Sequence, residues 1–121
     1  MAHILIVDDS PTEVHVYRKI LEKNGHQISV AENGEAGIEK AASEIPDLIL
    51  MDVVMPGMNG FQATRQLSRD KKTASIPVII ITTKDQETDK VWGMRQGAKD
   101  YIVKPVREPE LIERVNSALG S

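Results

Sequence analysis

The sequence predicts an α/β protein in which parallel strands alternate with helices. Short apolar runs recur along the 121 residues, and stretches with helical periodicity separate them. Several of these runs are almost continuous Ile, Leu and Val, which is typical of strands buried on both faces of a parallel sheet. Hydrophobic residues make up 40% and charged residues 27%, as in ordinary globular proteins. A chain of this length and composition is expected to form one domain with one core.

Five apolar segments are predicted to be strands, namely His3–Val7, Gln27–Ala31, Asp47–Met51, Pro77–Ile81 and Tyr101–Val103. Helices that connect parallel strands imply right-handed crossovers, with helices on both faces of the sheet. This connectivity predicts the strand order 2-1-3-4-5. The expected fold is therefore a doubly wound (βα)5 arrangement of the flavodoxin-like type.

The segments between the strands carry helix signals. Residues 10–13, Ser-Pro-Thr-Glu, have the pattern of a capping box with proline at the first helical position. Gly25 and Gly97 lie where helix ends commonly require a left-handed residue. In the last segment, Leu111 and Val115 are four residues apart and so share one helical face. These signals predict a helix after each strand.

Polar side chains follow four of the predicted strands. Asp8 and Asp9 come after the first strand and Asp52 after the third. Thr82 follows the fourth strand, and Lys104 follows the fifth. Open parallel sheets bind ligands beyond the carboxyl ends of their strands, at the switch point between strands 1 and 3. We therefore expect these five side chains to meet at that side of the sheet.

The three carboxylates in this set predict a magnesium site. Crowded carboxylates repel one another unless a cation holds them together. Oxygen ligands without nearby His or Cys favour magnesium, manganese or calcium over zinc, and magnesium accepts carboxylates together with a phosphate oxygen. We expect Mg²⁺, with Mn²⁺ as a substitute. Taken singly, Asp8 or Asp9 could be a helix cap, Asp52 a turn residue and Lys104 a solvated surface lysine.

Composition excludes several classes of function. The chain has no Cys, so disulfides, thiolate catalysis and cysteine metal sites are absent. The net charge of −3 argues against nucleic acid as a main partner, because phosphate binding needs clustered Lys and Arg. The N-terminal apolar run reaches Asp8 too early for a signal peptide, and no apolar run is long enough to span a bilayer. We expect a cytoplasmic protein without membrane insertion.

Four stretches of the sequence resemble the receiver domains of response regulators in two-component signalling. They are Ile4–Ser10, Leu48–Gly60, Pro77–Thr82 and Gly97–Pro105, which together are spread over nearly the whole chain. The resemblance implies a stand-alone receiver domain over residues 1–121, of the chemotaxis-like type and without an output domain. It also implies that the protein is not an enzyme and catalyses only its own aspartyl phosphorylation and dephosphorylation.

The same resemblance implies roles for the acidic residues. Asp52 would be the phosphoacceptor, taking a phosphoryl group from a sensor histidine kinase or a phosphotransfer protein. Asp9 and Asp52 would bind Mg²⁺ through their carboxylates, and Val54 through its backbone carbonyl. Asp8 would act largely through a metal-bound water. In this family a polar or acidic residue often stands where Val54 does, so the lifetime of phospho-Asp52 is left open.

Three further residues are implied to bind the phosphoryl group or to report it. Thr82 and Lys104 would each hold a phosphoryl oxygen. Movement of Thr82 would leave space for Tyr101 to turn inward. This turn would change the surface formed by helix 4, strand 5 and helix 5, and a downstream protein target would recognise the changed surface. Without the resemblance, Tyr101 would be expected to be a half-buried strand residue with its hydroxyl in water. The Lys104–Pro105 peptide bond is implied to be cis.

Two segments resemble one subgroup, the regulators of type IV pilus twitching motility. They are residues 82–92, across the end of strand 4 and the start of helix 4, and residues 61–65 in helix 3. Helix 4 contains Trp92, the only Trp, which is expected to pack against helix 3.

Three other functions are compatible with parts of the pattern. A flavodoxin-like electron carrier has the same fold class, but Asp8 and Asp9 would repel its phosphate, and the chain is only 3% aromatic. A hydrolase of the haloacid dehalogenase type also uses an Asp nucleophile with magnesium, but it places a second Asp where this chain has Val54. A non-phosphorylated interaction module could keep the fold, although the intact site residues argue against it.

Overall fold

The computed structural model describes residues 1–120, in which five strands and five helices alternate. The strands are β1 (His3–Val7), β2 (Gln27–Ala31), β3 (Leu48–Met51), β4 (Val78–Thr82) and β5 (Asp100–Val103). The helices are α1 (Pro11–Lys23), α2 (Gly34–Glu44), α3 (Gly60–Arg69), α4 (Glu87–Arg95) and α5 (Glu108–Ala118). Within these residues, no helix combines the length and the apolar character that crossing a bilayer demands.

All five strands belong to one parallel sheet in the order β2-β1-β3-β4-β5, which confirms the predicted fold. The first two strands have the predicted bounds, whereas β3 begins one residue later and β5 one residue earlier than expected. β4 is shifted by one residue, to Val78–Thr82. Pro77 has no N–H to donate to the sheet, so the strand begins after it.

The sheet separates two hydrophobic clusters. Alternate strand residues point to opposite faces, so Leu5 and Ile49 lie in one cluster while Ile4 lies in the other. The first cluster contains Phe61 of α3, and the second contains Leu111 of α5. Both faces of the central strands are therefore buried, as the continuous apolar runs predicted.

Two glycines bring helices close to the strands that end at the site. A Cβ on Gly37 of α2 would lie 2.8 Å from Cγ2 of Val7, so the absence of a side chain lets α2 pack directly on β1. A Cβ on Gly60, the first residue of α3, would collide with the main-chain carbonyl of Asp52. The Gly60 N–H donates to the carbonyl of Val53 at 2.9 Å. The start of α3 is thus fixed against the segment that follows β3.

Candidate functional site

Three carboxylates converge where β1 and β3 end. These strands are neighbours, with Val7 paired to Met51, so Asp8 and Asp52 follow adjacent strands. The Asp52 N–H donates to the carbonyl of Val7 at 2.9 Å, which continues the sheet bonding into the site. Asp8, Asp9 and Asp52 each offer a carboxylate oxygen, and these oxygens lie within 4.8 Å of one another. The structure therefore brings together the acidic residues that the sequence placed after strands 1 and 3.

Burial makes two of these carboxylates resist ionisation. Asp8 is 3% exposed and Asp52 is 8% exposed, whereas Asp9 is exposed. Burial raises the pKa of Asp8 to about 6; a hydrogen bond from the Ser10 N–H opposes this rise, and the charge of Asp52 adds to it. Burial also raises the pKa of Asp52, against the opposing charge and hydrogen bond of Lys104. A cation among these oxygens would relieve both effects.

Lys104 supplies the positive charge at the site. Its Nζ lies 3.2 Å from Oδ1 of Asp52 and 3.9 Å from Oδ2 of Asp8, and its side chain is 12% exposed. Burial alone would lower the pKa of Lys104, but the hydrogen bond with Glu13 and the charges of Asp52 and Asp8 outweigh it, so the pKa is raised. Lys104 is therefore a protonated ammonium held among carboxylates, not a solvated surface lysine.

Glu13 is a site residue that the sequence reasoning missed. Its Oε1 lies 2.6 Å from the Lys104 Nζ, closer than either aspartate. The predicted capping box forms only in part: the Ser10 hydroxyl oxygen accepts from the Glu13 N–H at 3.3 Å, but the Ser10 N–H donates to Oδ1 of Asp8 at 2.8 Å. Because Asp8 takes the donor that a capping box gives to its acidic residue, the Glu13 carboxylate is left to bind Lys104.

Thr82 and Tyr101 both contact the main chain of Lys84, in the loop between β4 and α4. The buried Thr82 hydroxyl oxygen accepts from the Lys84 N–H at 3.2 Å, and the Tyr101 hydroxyl donates to the Lys84 carbonyl at 2.9 Å. Tyr101 is 5% exposed, so it occupies an inward position and is not the half-exposed strand residue expected without the family. Burial, with the charges of Asp89 and Asp85, raises the pKa of Tyr101 to about 12.

Three further expectations concern Val54, the Lys104–Pro105 peptide bond and Trp92. Val54 is 61% exposed in the loop after Asp52, and the use of its carbonyl as a ligand stays a prediction. The Lys104–Pro105 peptide bond is cis, the isomer that the resemblance implied. Trp92 is 48% exposed, and its expected packing against α3 stays a prediction.

The donor set fits a small divalent cation. Within residues 1–120, Asp8, Asp9 and Asp52 form the one group of three acidic or imidazole side chains close enough to share an ion. All the offered atoms are carboxylate oxygens, the donors that Mg²⁺ prefers. Three carboxylates, those of Asp8, Glu13 and Asp52, surround the Lys104 ammonium, so the excess negative charge also favours a cation.

The fold and this acidic site define a response regulator receiver domain, and the chain belongs to that family. The family model described as "Response regulator receiver domain" matches residues 4–116. Among curated proteins, the chain is 63% identical over 120 residues to Protein PilH of Pseudomonas aeruginosa, covering 99% of both chains. It is 40% identical over 116 residues to response regulator PleD of Caulobacter vibrioides, covering 96% of this chain and 26% of PleD.

Solved structures agree with this assignment. The Vibrio cholerae chemotaxis protein CheY4 superposes with a TM-score of 0.91 at 28% identity, covering 98% of each chain. The receiver domain of the sensor histidine kinase PA1611 from Pseudomonas aeruginosa also has a TM-score of 0.91 at 28% identity, covering 99% of this chain and 98% of that chain. That receiver domain has a magnesium ion coordinated in its active-site cleft. Family membership favours two-component signalling over the flavodoxin-like carrier and the dehalogenase-type hydrolase.

Proposed function

We propose that this chain is a stand-alone response regulator that accepts a phosphoryl group on Asp52 in a Mg²⁺-dependent reaction. The donor is a phosphohistidine on a sensor histidine kinase or on a phosphotransfer protein. One observation carries the proposal: Asp52 lies in a three-carboxylate cluster with oxygens within 4.8 Å of one another, and the Lys104 ammonium is 3.2 Å from Asp52. No other part of residues 1–120 combines a buried carboxylate with both a cation site and a lysine.

The chain's own residues supply positioning and charge. An Asp52 carboxylate oxygen attacks the phosphorus atom, and the bond between phosphorus and the donor nitrogen breaks. A carboxylate is a weak nucleophile, so the rate depends on holding the reactants in line and on neutralising the transferring group. The Lys104 ammonium and the Thr82 hydroxyl bind phosphoryl oxygens. Water later attacks the phosphorus atom of the acyl phosphate, the bond between phosphorus and the Asp52 oxygen breaks, and inorganic phosphate leaves with Asp52 restored as a carboxylate.

The cation would be held by the same carboxylates that make the site acidic. Asp9 and Asp52 would bind it through their carboxylates, Asp8 largely through water, and Val54 through its backbone carbonyl. When bound, Mg²⁺ supplies positive charge that offsets the charge of the phosphoryl group. Manganese has similar oxygen preferences and is expected to substitute. The raised pKa values of Asp8 and Asp52 support this assignment, because a cation is what makes their joint ionisation favourable.

The phosphoryl group is read out on the surface formed by α4, β5 and α5. Thr82 and Tyr101 bond to the same residue, Lys84, so movement of Thr82 toward the phosphoryl group displaces the loop that holds the tyrosine hydroxyl. That loop leads into α4, whose exposed apolar side chains Val91 and Trp92 form a surface suited to a protein target. The target is a downstream protein and not nucleic acid.

The pathway proposed is motility, through type IV pili or a chemotaxis-like system in the cytoplasm. The 63% identity with PilH, over nearly the full length of both proteins, supports this subgroup. Apart from its own phosphorylation and dephosphorylation, the chain is proposed to have no enzymatic activity.

Acetyl phosphate, as a small phosphoryl donor, tests the proposal. The protein is incubated with Mg²⁺ and acetyl phosphate, and its intact mass is measured. We expect one added phosphoryl group in the wild type and in Asp85→Asn, which removes an exposed carboxylate, and none in Asp52→Asn. Labelling that persists in Asp52→Asn would reject Asp52 as the acceptor. If the wild type is labelled neither by acetyl phosphate nor by a phosphorylated histidine kinase, the result would instead support the non-phosphorylated interaction module.

A further inference from the structure

We propose that Glu13 is a positioning residue that restrains phosphorylation of Asp52 by holding the Lys104 ammonium. The inference rests on the proposed function, because it concerns the lysine that is to bind the phosphoryl group. Glu13 lies on α1, outside the four strand ends that define the site. Its contact with Lys104 nevertheless makes it part of the charge balance around Asp52.

Distances identify Glu13 as the nearest partner of Lys104. The ammonium nitrogen lies 2.6 Å from Glu13 Oε1, compared with 3.2 Å from Asp52 Oδ1 and 3.9 Å from Asp8 Oδ2. Charge-assisted contacts between ammonium and carboxylate groups are short, and the Glu13 contact is the shortest of the three. The Lys104 side chain is 12% exposed and the Glu13 side chain is 36% exposed, so the contact is partly shielded from water on the lysine side.

The Glu13 carboxylate is itself held in place. The hydroxyl of Tyr17, a residue that is 4% exposed, donates to the same Oε1 at 3.4 Å. The main-chain N–H of Glu13 is capped by Ser10, and the Ser10 N–H is already bonded to Asp8. Hydrogen bonds therefore hold Glu13 both at its main-chain N–H and at its carboxylate, which restricts rotation of the side chain away from the site.

This arrangement has two consequences with opposite signs. A phosphoryl oxygen on Asp52 must draw the ammonium of Lys104 away from Glu13 or share it, and the Glu13 charge also repels the anionic phosphoryl group. The same negative charge attracts a divalent cation to the neighbouring aspartates. Glu13 therefore disfavours phosphoryl binding while it favours Mg²⁺ binding.

The Glu13→Gln variant separates these two effects. Two quantities are measured for it: the Mg²⁺ dissociation constant by calorimetry, and the rate of labelling by acetyl phosphate at saturating Mg²⁺. We expect labelling to become roughly three- to tenfold faster and Mg²⁺ binding to become roughly three- to tenfold weaker, as for one charge removed a few ångströms away from a partly exposed site. Both differences should shrink as the salt concentration rises.

Two comparison variants test the cause. Glu22→Gln removes the same charge from the same helix, where Glu22 pairs with Arg18 on the exposed side at 3.2 Å, and it should change neither quantity by more than about twofold. Glu13→Asp keeps the charge but withdraws the carboxylate from Lys104, so its labelling rate should lie between those of the wild type and Glu13→Gln. Its Mg²⁺ affinity should stay close to that of the wild type.

Several outcomes would overturn the inference. Unchanged or slower labelling in Glu13→Gln would mean that Glu13 does not restrain Lys104, and slower labelling in Glu13→Asp would mean the same. Loss of both Mg²⁺ affinity and labelling in Glu13→Gln would indicate a structural role. Failure of the proposed function gives a different result, because the wild type itself would then show no labelling at any Mg²⁺ concentration.

Discussion

Replacing Asp8 by Asn should stabilise the metal-free protein at neutral pH. The Asp8 carboxyl is 3% exposed, and its pKa rises from the usual 3.8 to about 6 on folding. Asn resembles the neutral form of Asp, and its Oδ1 can keep the hydrogen bond from the Ser10 N–H, which measures 2.8 Å in the wild type. The substitution therefore removes the cost of ionising a buried carboxyl and retains the local loop structure.

The size of the effect follows from linkage. Each tenfold change in an acid constant corresponds to about 1.4 kcal/mol, so the rise to about 6 corresponds to about 3 kcal/mol once Asp8 is ionised in both states. Because the pKa of Asp8 is higher in the folded state, the wild-type protein keeps its full free energy of unfolding below pH 3.8. It loses the part that depends on a protonated Asp8 as the pH rises through about 6. Asp8→Asn should therefore be more stable than the wild type by about 3 kcal/mol at about pH 7.5, but by only about 1 kcal/mol at about pH 4.5.

Urea unfolding in the presence of a chelator, followed by circular dichroism at both pH values, measures this difference. Asp85→Asn serves as the control, since an exposed carboxylate should change stability by less than about 0.5 kcal/mol. An Asp8→Asn variant that is no more stable than the wild type at the higher pH would refute the reasoning. So would an advantage of equal size at both pH values.

Two further predictions concern the cation site and the contact between α4 and β5. Added Mg²⁺ should raise the wild-type free energy of unfolding at neutral pH by about 1.4 kcal/mol at a concentration ten times its dissociation constant, because the ion binds the folded cluster. Thermal unfolding should show most of this gain lost in Asp9→Asn; an equal gain in that variant would place the ion elsewhere. Gly93→Ala should cost about 1 to 2 kcal/mol in urea unfolding, since the new Cβ would lie 2.9 Å from Cδ2 of Tyr101 and overpacking exceeds the gain in helix propensity. Introducing Gly93→Ala into a Tyr101→Leu background should remove most of that cost, and a cost that persists in full would point to the Ile80 side chain, whose Cδ1 would lie 3.1 Å from the new Cβ.

The fold could be predicted from the sequence because its strands are buried on both faces. Continuous apolar runs such as Ile4–Val7 and Val78–Ile81 have few alternatives to a central parallel strand. Strand ends were less certain, because they depend on single hydrogen bonds. At β4 the missing N–H of Pro77 decided the first residue, and at β5 the strand began one residue early, at Asp100.

The site could be predicted in part. The residues that directly follow strands were accessible, because a parallel sheet places all its carboxyl ends together. Glu13 was not, because the pattern Ser-x-x-Glu offers the carboxylate a local partner within its own turn. The competition that frees it, in which Asp8 takes the Ser10 N–H, depends on the path of the chain between β1 and α1. The pattern Ser-x-x-Glu cannot show that the Ser10 N–H is already hydrogen-bonded to Asp8.

The way α4 rests on the sheet has a mechanical consequence. Among its residues Gly93 alone is buried, and Cδ2 and Cε2 of the Tyr101 ring lie close to the place where a Cβ would otherwise sit. By contrast, α3 buries five residues. A helix that has no side chain lodged between strands can tilt or slide over an aromatic ring without first withdrawing anything from the core. We therefore expect a change in the position of the Tyr101 ring to move α4 more readily than α3.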